Sequence, residues 1–165
     1  MMYDASIPVL LNFLKGLSAI LKKDEAHCTA KKIDPEALLK ARLFPDMFHL
    51  TKQVQLVSDF AKGIGARLTG TANPSYADEE KTFDDLQARI AKTVDFLSAM
   101  KKEQFADAAG RTVTIKVGGN DMNFSGGEYL MGYGLPNFYF HLATAYNILR
   151  HNGIELGKKD FMGRG

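Results

Sequence analysis

The sequence predicts an all-α protein, a four-helix bundle with a short β-hairpin inserted before its last helix, folded as one domain over residues 1–165. Two observations carry that expectation. Four long stretches repeat apolar residues at steps of three and four, the period of one face of an α-helix. A single short stretch, Thr112 to Val117, instead alternates β-branched with polar residues, the period of a strand. At 165 residues, 45% hydrophobic and 24% charged, the chain has enough apolar mass for a core without disulfide or metal staples.

In the first stretch Leu10, Phe13, Leu14, Leu17, Ile20 and Leu21 form one stripe, with Pro8 in the first turn, where a missing N–H costs nothing. Lys22-Lys23 is the expected end, since cations suit the negative pole of a helix; Asp24 to Lys32 adds a separate turn or two. Asp34-Pro35-Glu36-Ala37 announces a short helix by an N-cap followed by proline. Phe44-Pro45-Asp46 breaks the chain and opens the strongest pattern. Met47, Leu50, Val54, Val57, Ala61, Ile64 and Leu68 make a seam suited to shallow helix packing. Gly63 and Gly65 within it mark close helix contact or an early end. Asn73-Pro74 punctuates a loop, and Asp78-Glu79-Glu80 is expected to complement the next helix's dipole.

That third long helix carries Phe83, Leu86, Ile90, Val94 and Leu97, with Thr82 and Asp85 spaced for a cap. Gly118-Gly119-Asn120-Asp121 then turns the strand at Thr112–Val117 back on a partner at Met122–Phe124. Glycines from Gly126 to Gly134 continue as loop. The last helix opens at Leu135-Pro136 and presents Phe138, His141, Ala145 and Ile148. His151-Asn152-Gly153 stops it in a left-handed cap.

Composition excludes several classes. A net charge of +2, from 21 basic and 19 acidic side chains, gives no electrostatic footprint for nucleic acid. Lys22-Lys23, Lys31-Lys32 and Lys158-Lys159 read as solvated pairs. Cys28 is the sole cysteine, so no internal disulfide can form, and it reads as a small buried side chain. No apolar run reaches the roughly 20 residues of a membrane span, and Ile7–Leu14 lacks a basic start and a cleavage site. The expected location is therefore cytoplasmic. The Gly118–Gly127 stretch has no Gly-Lys-Ser/Thr to make a phosphate loop, no serine lies in a Gly-x-Ser-x-Gly elbow, and no Glu-x-x-His pair suits a di-iron bundle.

Histidine is the informative residue type. His27 reads as exposed and His151 as a helix C-terminal cation. His141 falls on the apolar seam of the last helix, His49 flanks the seam of the second, and Asn137 lies one turn before His141. A hydrogen-bonded core imidazole accounts for His141 without any ligand. A bundle interior can also build a site from facing helices, and imidazoles bind zinc and nickel; a catalytic zinc, however, usually takes three protein ligands.

Three stretches are distinctive: Asp46-Met47-Phe48-His49-Leu50; Asn137-Phe138-Tyr139-Phe140-His141; and Leu149-Arg150-His151-Asn152-Gly153 with Leu156-Gly157-Lys158-Lys159-Asp160-Phe161. With them the chain resembles a family of unknown function in the DinB/YfiT-like helical-bundle superfamily, over nearly its whole length. The resemblance implies a four-helix bundle, a homodimer, and in many relatives a divalent metal held by three histidines, some relatives transferring low-molecular-weight thiols. His49 and His141 match two of those ligands; Asn137 stands where the third would be, a poorer ligand for zinc or nickel. Two readings follow. One is a non-enzymatic bundle with a degraded metal site that binds a small molecule. The other is a metal-dependent, thiol-transferase-like enzyme using His49, His141 and Asn137 or water, with Gln53, Asp59 or Tyr139 behind the ligands.

Overall fold

A computed structural model describes residues 1–164: mostly helix, with one two-stranded antiparallel sheet. Helix α1 runs unbroken from Ile7 to Lys31. It does not stop at Lys22-Lys23, because those lysines face solvent while Asp24 and Cys28 carry the buried stripe onward. It ends at Lys32, whose backbone is left-handed (φ 55°), with the Ile33 N–H donating to the Cys28 carbonyl at 2.9 Å. The short α2 (Pro35–Leu39) follows, capped by Asp34.

Helix α3 spans Leu50–Thr69, so Met47 lies outside it and the seam begins at Leu50. Helix α4 (Phe83–Ser98) starts with the expected box: the Asp85 N–H donates to Thr82 Oγ1 at 3.1 Å, and the Thr82 N–H to Asp85 Oδ2 at 2.9 Å. Ser18 meets Gln87 and Asp4 meets Lys102, which makes α1 and α4 antiparallel. Ser58 meets Thr93, and a Cβ on Gly65 would fall 2.7 Å from Leu97, so α3 and α4 are parallel and residues 70–82 return along their length.

After a 3₁₀ turn (Lys102–Phe105), β1 (Thr112–Val117) pairs with β2 (Asn120–Ser125) from Thr112↔Ser125 to Val117↔Asn120. The turn is the two residues Gly118-Gly119, both with positive φ (57° and 86°), so Asn120 and Asp121 belong to the strand and not to the turn. Val113 and Ile115 are buried from one face.

The glycine-rich stretch is helical too, contrary to the expected loop. Ser125 caps α5 (Gly126–Glu128), a π-helical turn covers Tyr129–Gly134, and α6 (Leu135–His151) continues from it. Two of these glycines serve close approach: a Cβ on Gly126 would sit 1.8 Å from the Ala108 carbonyl oxygen, and one on Gly134 2.8 Å from Ile64 Cγ1. Helix α6 runs antiparallel to α3, closes with Gly153 at φ 90°, and leads to α7 (Lys158–Phe161). Phe161 stacks edge-on against Phe13 and Tyr146, docking the tail on α1 and α6. Among the described residues no helix is long and apolar enough to cross a membrane.

Candidate functional site

His141 is 9% exposed on α6, and its Nδ1 lies 2.8 Å from Gln53 Oε1 on α3. The Gln53 amide nitrogen donates to the Phe48 carbonyl at 3.1 Å, which fixes the amide so that its oxygen faces the ring. The proton of a neutral His141 is therefore on Nδ1, and Nε2 keeps its lone pair. The ring stacks on Phe60, centroids 5.5 Å apart at 17°. Burial, then the charge of Lys52, holds its pKa below the ordinary histidine value. Of the three side chains expected to support it, Gln53 does so; Asp59 instead pairs with Lys62 and Arg89, and Tyr139 packs edge-on against Phe13.

His49 has a different task. It is the N-cap of α3, its Nδ1 accepting the Lys52 N–H at 3.3 Å. A neutral ring that accepts at Nδ1 carries its proton on Nε2. Burial, then Arg42, lowers its pKa. Its ring borders a cavity of about 1020 Å³ between α2, the start of α3 and the start of α4, shared with Leu39, Thr51, Lys52, Gln55 and Phe83. His141 and Asn137 do not line it. At roughly 100° per residue, Gln53 and Gln55 leave α3 about 160° apart, so the contact to His141 and the cavity lie on different sides of one helix. Asn137 spends its amide N–H on the Tyr133 carbonyl at 2.8 Å, within its own helical segment.

These hydrogen bonds bear directly on a zinc or nickel centre. His49 offers a protonated Nε2, Asn137 is a weak ligand, and among the described residues no three His, Cys, Asp or Glu side chains are grouped to hold an ion. The donor set does not fit a three-ligand metal centre. Its chemistry is that of neutral imidazoles in a polar, partly buried setting.

Sequence reasoning missed a larger ionic cluster. Arg89 on α4, 4% exposed, reaches Asp59 (2.9 Å), Asp78 (3.1 Å) and Glu80 (2.8 Å). Asp78 and Glu80 thus clamp the 70–82 connection instead of complementing the α4 dipole, and Asp78 also binds Lys52 at 2.6 Å. Tyr76 lies beneath Lys62, Arg89 and Lys92. The sequence carries little signal for it, since the residues three and four steps from Arg89 are Asp85, Leu86, Lys92 and Thr93, an ordinary mixed face. Of the remaining histidines, His27 is half-buried and His151 is exposed at the end of α6.

The family profile described as Domain of unknown function (DUF1993) matches residues 2–162, and the chain belongs to that family. Its structure is similar to that of a DinB family member protein from Shewanella denitrificans, 41% identical, with a TM-score of 0.89 over 98% of this chain and 92% of that one. No curated protein matches the chain.

Proposed function

We propose that this protein is a four-helix-bundle, small-molecule-binding domain whose ligand enters the cavity at His49, and not a metalloenzyme. The observation that carries the reading is the cavity itself, about 1020 Å³, at the upper limit of the size of ligand sites. It pairs apolar surface from Leu39 and Phe83 with a few placed polar groups, Thr51, Gln55 and the Nε2–H of His49. Glu25, Asp34, Glu36, Asp78, Glu80 and Asp84 outnumber Lys40, Lys52 and Lys81 around it, which favours a small amine over an acid.

The test is a fragment titration followed by amide NMR, with n-butylamine, butyrate and butyramide as probes. The amine is expected to shift Thr51–Gln55 and Thr82–Asp84, and to lose most of its effect in Glu25→Gln/Asp84→Asn. Equal shifts from all three, or none near residues 51–55, would reject the reading. A second measurement addresses the metal alternative. Protein purified without an affinity tag is expected to hold sub-stoichiometric zinc or nickel, unchanged in His49→Ala/His141→Ala. A stoichiometric ion lost in that variant would restore the enzyme reading. The reading also includes a homodimer, supported by Phe44, Phe48 and Phe140, which stand 63%, 54% and 57% exposed. Light scattering at working concentration is expected to give twice the chain mass.

A further inference from the structure

A second cavity, of about 330 Å³, lies where α3, β1, the 70–82 connection and the π-helical turn meet. Its chemistry is opposite to that at His49. Phe60 and Tyr133 form a wall, ring centroids 6.1 Å apart, with Ile115 completing the apolar side. Three cations, Lys62, Arg67 and Lys116, face one carboxylate, Asp59. That carboxylate is already engaged by Lys62 at 3.0 Å and by Arg89 at 2.9 Å. Arg67 and Lys116 are left as the charge available to a ligand.

Arg67 is held in a specific pose. Its Nη1 donates to the Tyr129 hydroxyl at 3.1 Å, and the guanidinium carbon sits 5.6 Å from that ring's centroid. To reach it the side chain folds back over Gly63. The point a Cβ on Gly63 would occupy lies 2.3 Å from Arg67 Nη1 and 3.8 Å from Asn73 Nδ2. Arg67 can bring its N–H donors beside those of Asn73 in this pose because residue 63 has no side chain. Gly63 thus has a reason to be in the middle of a helix that its poor helix propensity opposes.

We propose that this cavity binds a small carboxylate with a flat apolar body, such as a single-ring aromatic acid. Arg67 and Asn73 take the carboxylate, the planar guanidinium matching its two oxygens. Lys116 closes the rim, and the ring lies against Phe60 and Tyr133. The site shares no lining residue with the cavity at His49 and lies further along α3, at residues 56–67 against 51–55.

Benzoate is the probe, with benzylamine and benzamide as controls of the same shape and different charge. Benzoate is expected to shift the Arg67 Nε–H and the Ile115 and Lys116 amides in NMR spectra, and the controls to leave them unmoved. Losing one charge-assisted hydrogen bond is expected to weaken benzoate about tenfold or more in Arg67→Gln. Gly63→Ala is expected to weaken it similarly without lowering Tm, since alanine is the better helix former and the displaced atom ends a flexible side chain. Lys116→Gln, on the exposed hairpin, gives the same direction with the helices untouched. Equal shifts from benzamide, an affinity unchanged in Gly63→Ala and Lys116→Gln, or shifts confined to residues 51–55 would each overturn the proposal. So would silence at about 20 mM benzoate, well above a millimolar Kd.

Discussion

Asp24 is fully buried on the inner face of α1, and among the described residues neither of its carboxylate oxygens meets a hydrogen-bond donor. Burial raises its pKa from 3.8 to about 7. A carboxyl whose folded pKa exceeds its unfolded value binds more protons in the native state between about pH 4 and 7. Stability therefore falls as pH rises through that window, by at most about 4 kcal/mol. Asp24→Asn is expected to be more stable than wild type at pH 8 and close to it at pH 4, measured by urea midpoints; an unchanged difference across that range would contradict a buried carboxyl. His141 acts in the other direction. Its pKa is held below 6.5 by burial and by Lys52, so the stability of its neutral form is present above 6.5 and lost as the pH drops further. His141→Leu leaves Gln53 Oε1 unpaired and is expected to lose about 1–3 kcal/mol at pH 8, and less at pH 5. Neither effect could be read from the chain alone. Asp24 looks like the first polar residue after a helix end, and what buries it comes from distant segments.

At the scale of elements, the parallel pair α3 and α4 depends on two features of different kind. Gly65 lets the helices touch, with Leu97 and Met100 occupying the space a Cβ would need at 2.7 and 2.8 Å. Gly65→Ala is therefore expected to destabilise by about 1–3 kcal/mol through overpacking, even though alanine favours helix. A urea midpoint equal to that of Gly63→Ala would show that the contact is not tight. The other feature is Arg89. Replacing it by methionine removes the buried cation shared by Asp59, Asp78 and Glu80, leaving Glu80 with Gln55 alone while Asp59 and Asp78 keep Lys62 and Lys52, and is expected to lose about 1–3 kcal/mol. Faster amide exchange confined to residues 70–82 would accompany the loss, because Asp78 and Glu80 fasten that segment. These elements show what periodicity can and cannot see. The α3 seam is plain from Leu50 onward, but extending it to Met47 hid the N-cap at His49, since a residue just before a helix can match the helical period by coincidence. The π-helical turn was hidden likewise, because glycines that pack against Ala108 and Ile64 look the same in sequence as glycines that turn.

At the scale of the molecule, the two cavities carry opposite charge along successive stretches of α3, residues 51–55 and 56–67, and each proposed ligand answers to one of them. Measured together, n-butylamine and benzoate are expected to shift separate sets of amides and to bind without competition. Mutual displacement would mean that a single site serves both. By itself the sequence determined the apolar stripes of the four long helices, where the hairpin lies, and which family the chain belongs to, because caps, apolar periods and the Asn137–His141 and Leu149–Gly153 stretches are local patterns. Only the tertiary structure decided that α3 and α4 run parallel, that His141 turns to Gln53 while His49 caps its own helix, and that Arg67 folds over Gly63. Those outcomes depend on which groups from distant parts of the chain arrive within hydrogen-bond reach, and no local period encodes such a meeting.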